Sequence, residues 1–184
     1  MKMTNFLPTM ILAIVTSAAL TGCNSKPIDE LKMTRIAMEQ AQKTEASEYE
    51  PNDWDRAQMQ REEANALIQM GRYGEAKDVL IEAVGNYNTA RDKANRRVES
   101  LKIEITALQS SAETELKKLE QAGESAKAKT SVRDRIDRAI PLIEEKIATM
   151  NADYDAKEYL RSRMAGYEAL RYMVELQKRL ALNY

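Results

Sequence analysis

The chain has 184 residues, a net charge of −1, no His, one Cys, one Trp and one Phe. Without His there is no Ser-His or Cys-His nucleophile pair, no His-ligated zinc and no Glu-x-x-His di-iron motif. Without a cationic excess little drives release of phosphate counterions, which argues against non-specific nucleic-acid binding, so no nucleic-acid partner is expected, and the length suits a single domain with a modest core.

Lys2 precedes an apolar run from Phe6 to Leu20, interrupted only by Pro8, Thr9, Thr16 and Ser17, and small residues lead on to Gly22 and Cys23. A charged start, a short apolar core and a small-residue exit make a secretory signal peptide over 1–22, too short and broken to span a bilayer. Leu20-Thr21-Gly22-Cys23 resembles a bacterial lipobox. That resemblance implies diacylglyceryl transfer to the Cys23 thiol, cleavage between Gly22 and Cys23, and acylation of the new amino group with palmitate-like chains. Two or three acyl chains hold a protein on a membrane where one does so only marginally. The lone Cys is thus read as an anchor. In enterobacterial lipoproteins an Asp after the lipidated Cys retains the protein in the inner membrane. Asn24 in that place implies outer-membrane sorting, with the body facing the periplasm.

Residues 23–27 form a short spacer, and 28–184 is expected to be one all-helical domain. Phe6 leaves with the signal, so its core draws on Ala, Leu, Ile and Met with Trp54 and Tyr side chains. Ile28 to Ala46 reads as a first amphipathic helix, broken at the sequence SEYEPNDW. Pro51 cannot continue a helix but can start one, with Asn52 or Asp53 available as caps. A second helix is expected from about Trp54 to Met70, stopped by Gly71 in a left-handed conformation.

From Tyr73 the apolar positions are Tyr73, Ala76, Leu80, Ala83, Tyr87, Ala90, Ala94, Val98, Leu101, Ile105, Leu108, Ala112, Leu116 and Leu119. Steps of three and four keep these on one side of a single helix reaching Gly123, with Gly85 its one weak point. The 4-4-3 steps at Ala90–Leu101 and Leu108–Leu119 predict a nearly straight, coiled-coil-like helix there. Residues 123–131 read as a connection, and Ser131 to Asp134 resembles a capping box. A fourth helix carries Val132, Ile136, Ile140, Ile143, Ile147 and Met150, with a kink expected at Pro141. After a turn at Asn151-Ala152-Asp153, a fifth helix uses Leu160, Met164, Tyr167, Leu170, Val174 and Leu180. No strand-like alternation appears, so the fold class is all-α: an elongated bundle of about five helices.

An eighty-residue shift sets Met70 on Met150, Leu80 on Leu160, Tyr87 on Tyr167 and Arg91 on Arg171. This suggests duplicated hairpins over 53–95 and 132–182, although two amphipathic helices can echo one another by periodicity alone. Ala64, Leu67, Gly71, Tyr73, Ala76, Leu80 and Ala83 resemble the second half of a tetratricopeptide repeat, in which small residues let antiparallel helices touch. A closer resemblance rests on Pro27, Leu31, Ala37, Ala41, Ala46, Tyr49-Glu50-Pro51, Trp54, Ala57, Glu63-Ala64, Gly71, Tyr73 and Glu75-Ala76. With the lipobox, these are similar to the bacterial lipoprotein family known as domain of unknown function 4398. Some members of that family carry a peptidoglycan-binding domain resembling outer-membrane protein A. No segment of this chain has that character, and the family brings no catalytic residues to carry over.

Glu62-Glu63 and Glu144-Glu145 are adjacent on helices, so their carboxylates point apart and make no catalytic pair. There is no Gly-rich phosphate loop. Met33, Met38, Met59, Met70, Met150, Met164 and Met173 recur at helical spacing, which favours core filling over thioether copper binding. Neither a metal nor a cofactor is expected. Arg91, Lys93, Arg96 and Arg97 read as a solvated face pairing with Asp92 and Glu99, or as an anionic docking point. With Val98, Leu101, Ile105 and Leu108 they form the candidate partner-binding region. Two functions follow. One is a lipid-anchored, non-enzymatic scaffold that binds an envelope protein or self-associates through the Val98–Leu119 stripe. The other is a carrier that holds a small or lipidic ligand in a groove between hairpins.

Overall fold

The structure, a computed structural model, describes residues 25–125 and 129–181. The signal peptide, Gly22, Cys23 and Asn24 lie outside the described residues. Six helices and no strand occur among the described residues: α1 (Ile28–Lys43), α2 (Ala46–Tyr49), α3 (Pro51–Gln69), α4 (Tyr73–Glu124), α5 (Thr130–Asp155) and α6 (Tyr159–Ala181). None is long and apolar enough to cross a membrane.

The fold is organised on α4, whose 52 residues span about 78 Å. Its expected stripe is its buried stripe: Ala76, Leu80, Ala83, Tyr87, Ala90, Ala94, Leu101, Ile105, Leu108, Ala112 and Leu119 are all buried. Val98 and Leu116 are partly so. In the first half of α4, α3 packs antiparallel, with Gln60 beside Glu82 and Asn86, and Asp53 beside Lys93. There α1 runs parallel, with Glu30 on Lys77 and Gln40 on Arg91. In the second half α5 runs antiparallel, with Gln109 bonded to Asn151. Alongside it α6 runs parallel, with Tyr167 on Glu104 and Gln177 on Glu115. Two three-helix packings thus lie end to end and share one helix. Two buried clusters follow from this, one centred on Trp54, Tyr87 and Leu101, the other on Ile136, Ile143 and Met173.

Several helix ends differ from expectation. The first reading, Ile28 to Ala46, is divided: α1 stops at Lys43, and Glu45 takes a left-handed backbone (φ 53°) before α2. The amides of Thr44 and Glu45 tighten onto the carbonyls of Ala41 and Gln42, and the Thr44 hydroxyl also donates to Ala41, which closes the helix. Pro51 is the first residue of α3, so Asn52 and Asp53 lie inside the first turn and do not cap it. A proline there forfeits only an amide that would have had no partner. Gly71 is left-handed as expected, at φ 75°. Its amide and that of Arg72 bond back to the carbonyls of Ile68 and Leu67, the double closure of a Schellman turn.

The capping box at Ser131 does not form, because α5 starts at Thr130 without a side-chain cap. What fastens this joint is Arg133, whose guanidinium donates to the carbonyls of Gly123 (2.9 Å) and Ser125 (3.4 Å) at the end of α4. The turn expected at Asn151-Ala152-Asp153 is helical instead. The chain turns at Lys157 (φ 66°), where the Glu158 amide reaches the Asp153 carbonyl (2.8 Å). The helix continues through Pro141, which is exposed.

The largest correction concerns α6. Met164, Tyr167 and Val174 are exposed, while Ser162, Gly166, Ala169, Met173 and Leu180 face the core. Helix α6 packs against both α4 and α5, and small residues permit the closest approach. A Cβ on Gly166 would meet Met150 Sδ at 2.7 Å and Leu108 Cβ at 3.2 Å. Ser162 is tolerated because its hydroxyl donates to the Met150 carbonyl (2.7 Å). The eighty-residue register also matches unlike environments, setting exposed Met70 on buried Met150 and buried Tyr87 on exposed Tyr167.

Candidate functional site

The basic cluster does not act as one patch. Lys93 Nζ lies 2.5 Å from Oδ2 of Asp53, a carboxylate buried under α3, with Arg56 at 3.8 Å on its other oxygen. Lys93 therefore neutralises a charge inside the α3–α4 packing. Arg91 bonds to Asp92 Oδ1 through Nε (2.9 Å) and to Gln40 of α1 through Nη1 (2.9 Å). The expected pairing with Asp92 is present, whereas Glu99 pairs with Lys102 (2.8 Å). Arg96 is fully on the outer side of α4, exposed beside Asn95, Glu99, Ser100 and Ile103. Arg97 is half-buried on a different side of the helix.

Of the apolar candidates, Leu101, Ile105 and Leu108 are buried and Val98 is partly buried, all within the first core cluster. Beyond Val98, which lines an open cleft, the stripe from Leu101 to Leu119 packs beneath α5 and α6. The large apolar side chains exposed on α4 are Ile81 and Ile103, 55% and 74% exposed.

The first core has an unusual polar interior. Trp54 stands edge-on to Tyr87, with ring centroids 5.3 Å apart. The Tyr87 hydroxyl and Arg61 Nε are buried without a hydrogen-bond partner among the described residues. Burial pushes the Tyr87 phenol up, Arg61 pulls against that, and Glu62 adds to it. Arg61 Nη1 is 3.0 Å from Met38 Sδ, so a thioether bridges α3 to α1. This explains Met38 as packing.

Where the two packings meet, Tyr154 and Tyr159 stand edge-on (5.5 Å) and Lys102 Nζ sits 5.5 Å over the Tyr159 ring. Tyr49 belongs to the same joint. Its phenol is pushed up to about 12, first by burial and then by Glu45 and Glu48. An open cleft beside the joint is lined by Lys43, Glu45, Lys102, Lys157 and Tyr159, among others. Sequence reasoning missed this cleft, because its two left-handed residues, Glu45 and Lys157, carry no glycine signal. Among the described residues no group of three or more Cys, Asp or Glu is placed to hold a metal ion. No family model, curated protein or solved structure matches the chain.

Proposed function

We propose that the protein is a lipid-anchored, non-enzymatic scaffold or adaptor of the bacterial outer membrane, facing the periplasm and acting through helical protein–protein contacts. The observation that carries this is α4, one helix running through two packings as their common spine. A helix braced along its length fixes the distance and orientation of whatever binds at its ends, about 78 Å apart. The Leu20–Cys23 motif supplies the tether, and the short spacer to Pro27 sets α1 close to the membrane. The same N-terminal features, with the Tyr49-Glu50-Pro51 turn and the α3–α4 hairpin, support kinship with domain of unknown function 4398.

Replacing Cys23→Ser should abolish incorporation of a fatty-acid analogue and leave the signal attached. Processing at another site would end the lipoprotein reading. Membrane fractionation should then place the wild-type chain with outer-membrane markers. Photo-reactive residues at exposed Met33, Ile36 and Met164 should give adducts with other envelope proteins in cells.

A second reading rests on the cleft at the joint, lined by Lys43, Lys102 and Lys157 together with Glu45, Glu99 and Tyr159. A carrier of a small anionic or lipidic ligand would use it. Adducts confined to the same chain, with a small molecule co-purifying, would favour that reading over the scaffold.

A further inference from the structure

Gly85 lies in the middle of α4, where glycine costs about 1 kcal/mol relative to alanine. Nothing inside the chain accounts for it. Its backbone is helical, and a Cβ built there meets nothing within 4 Å. Ile103 lies on the same side of the helix, eighteen residues or about five full turns further on, and is 74% exposed. This side points directly away from the buried stripe. It also carries Ile81, Asp92, Arg96 and Ala107, all exposed. Arg96 makes no ion pair among the described residues, and Asp92 Oδ2 is left open because Arg91 holds Oδ1.

We propose that this outer face of α4 docks on the same face of a second copy, with the two helices antiparallel about a two-fold axis at the level of Ala94. In that register Ile103 sits over Gly85 of the second copy, where the missing Cβ admits it. Ile81 meets Ala107, and Arg96 meets Asp92. Each contact occurs twice, as an isologous interface requires. Steric and charge complementarity both select this direction. A parallel pairing would set Arg96 on Arg96, Asp92 on Asp92 and Ile103 on Ile103, opposing like charges and leaving Gly85 unfilled. The paired stretch is long, because the same register continues to Gly74 beside Thr114, about 60 Å of contact. The proposal does not depend on the acyl anchor. It holds for a chain on or off a membrane.

The test uses the full chain. Two differently tagged populations, Thr89→Cys and Glu99→Cys, are co-expressed and treated with a short bis-maleimide. The parent, whose only cysteine is Cys23, gives the background. The antiparallel register places residue 89 beside residue 99 of the other copy. The mixed 89–99 product should dominate, and it should be lost when Gly85→Leu or Ile103→Arg is added. Both substitutions fall on open surface, and Gly85→Leu also removes the cost of a helix-interior glycine, so circular-dichroism melts should not fall and loss of crosslinking is not unfolding. Arg96→Asp should weaken the crosslink, and Asp92→Arg in the same chain should restore it. Dominant 89–89 and 99–99 products, or no product above the Cys23 background, would overturn the proposal.

Discussion

Gly166 and Gly85 show how one residue type answers to opposite demands. At Gly166 the space for a side chain is already occupied by Met150 and Leu108; at Gly85 it is open. Gly166→Val should therefore destabilise the chain by about 1–3 kcal/mol through overpacking, visible as a lowered denaturant midpoint. An unchanged midpoint would mean that the α6–α4 contact gives way to a larger side chain without cost. Tyr49 makes a prediction at alkaline pH. Its phenol ionises near 12 in the fold and near 10 in the unfolded chain. Below pH 10 both states are neutral and no stability is lost. Between pH 10 and 12 the unfolded state sheds its proton first, and stability falls. Tyr49→Phe should show a shallower loss of thermal stability than wild type across that window, with little difference at pH 7–9. Equal slopes would place Tyr49 in a wetter setting. The residue scale is also where sequence reading failed on α6. Met164, Tyr167 and Val174 have the right period and hydropathy, but the helix wedges between two neighbours, where Ser162, Gly166 and Ala169 allow contact. Apolar character marks a buried face only when partner spacing leaves room for large side chains.

At the scale of elements, α4 was legible almost residue by residue, because fourteen positions in steps of three and four define one stripe whatever packs on it. The start of α3 and both ends of α5 were not. Capping motifs in the sequence compete with a proline that needs no cap at Pro51 and with Arg133, which closes the α4–α5 joint from the far side. Leu101, Ile105 and Leu108 of the candidate docking set are buried, and this was not legible for a related reason. A stripe near basic residues looks the same whether it faces a partner or the chain's own α5 and α6. Helix α5 offers a direct test of what proline costs here. Pro141 is exposed within α5 and removes one amide donor. Interior proline is worth about 3 kcal/mol against a helix, offset in part by its stiffening of the unfolded chain. Pro141→Ala should therefore raise stability by about 1–3 kcal/mol, measured by chemical denaturation. A neutral or negative effect would mean that α5 bends at this point in a way its packing requires.

At the scale of the whole molecule, the question is whether two packings on one helix unfold together. The first cluster groups Leu101, Ile105 and Leu108 of α4 and Met150 of α5 with residues of α1 to α3 in one continuous core. The second is confined to α4, α5 and α6 beyond that point. Ile147 and Leu170 pack against both. Coupling therefore runs through a narrow region of side chains together with the continuous backbone of α4. Ile136 lies deep in the second cluster, far from this region, and truncating it to Ala should cost about 2–5 kcal/mol. Because helix hydrogen bonds are local, the second half can loosen while α3 and the first half of α4 remain packed. Hydrogen exchange followed by mass spectrometry should show Ile136→Ala losing amide protection over 101–124 and in α5 and α6, with α3 and 73–94 close to wild type. Leu101→Ala, placed at the joint, should lower protection on both sides. A uniform loss for Ile136→Ala would show a single cooperative unit. In that case the spine would transmit stability from end to end, and strain applied at one end of a bound assembly would be felt at the other.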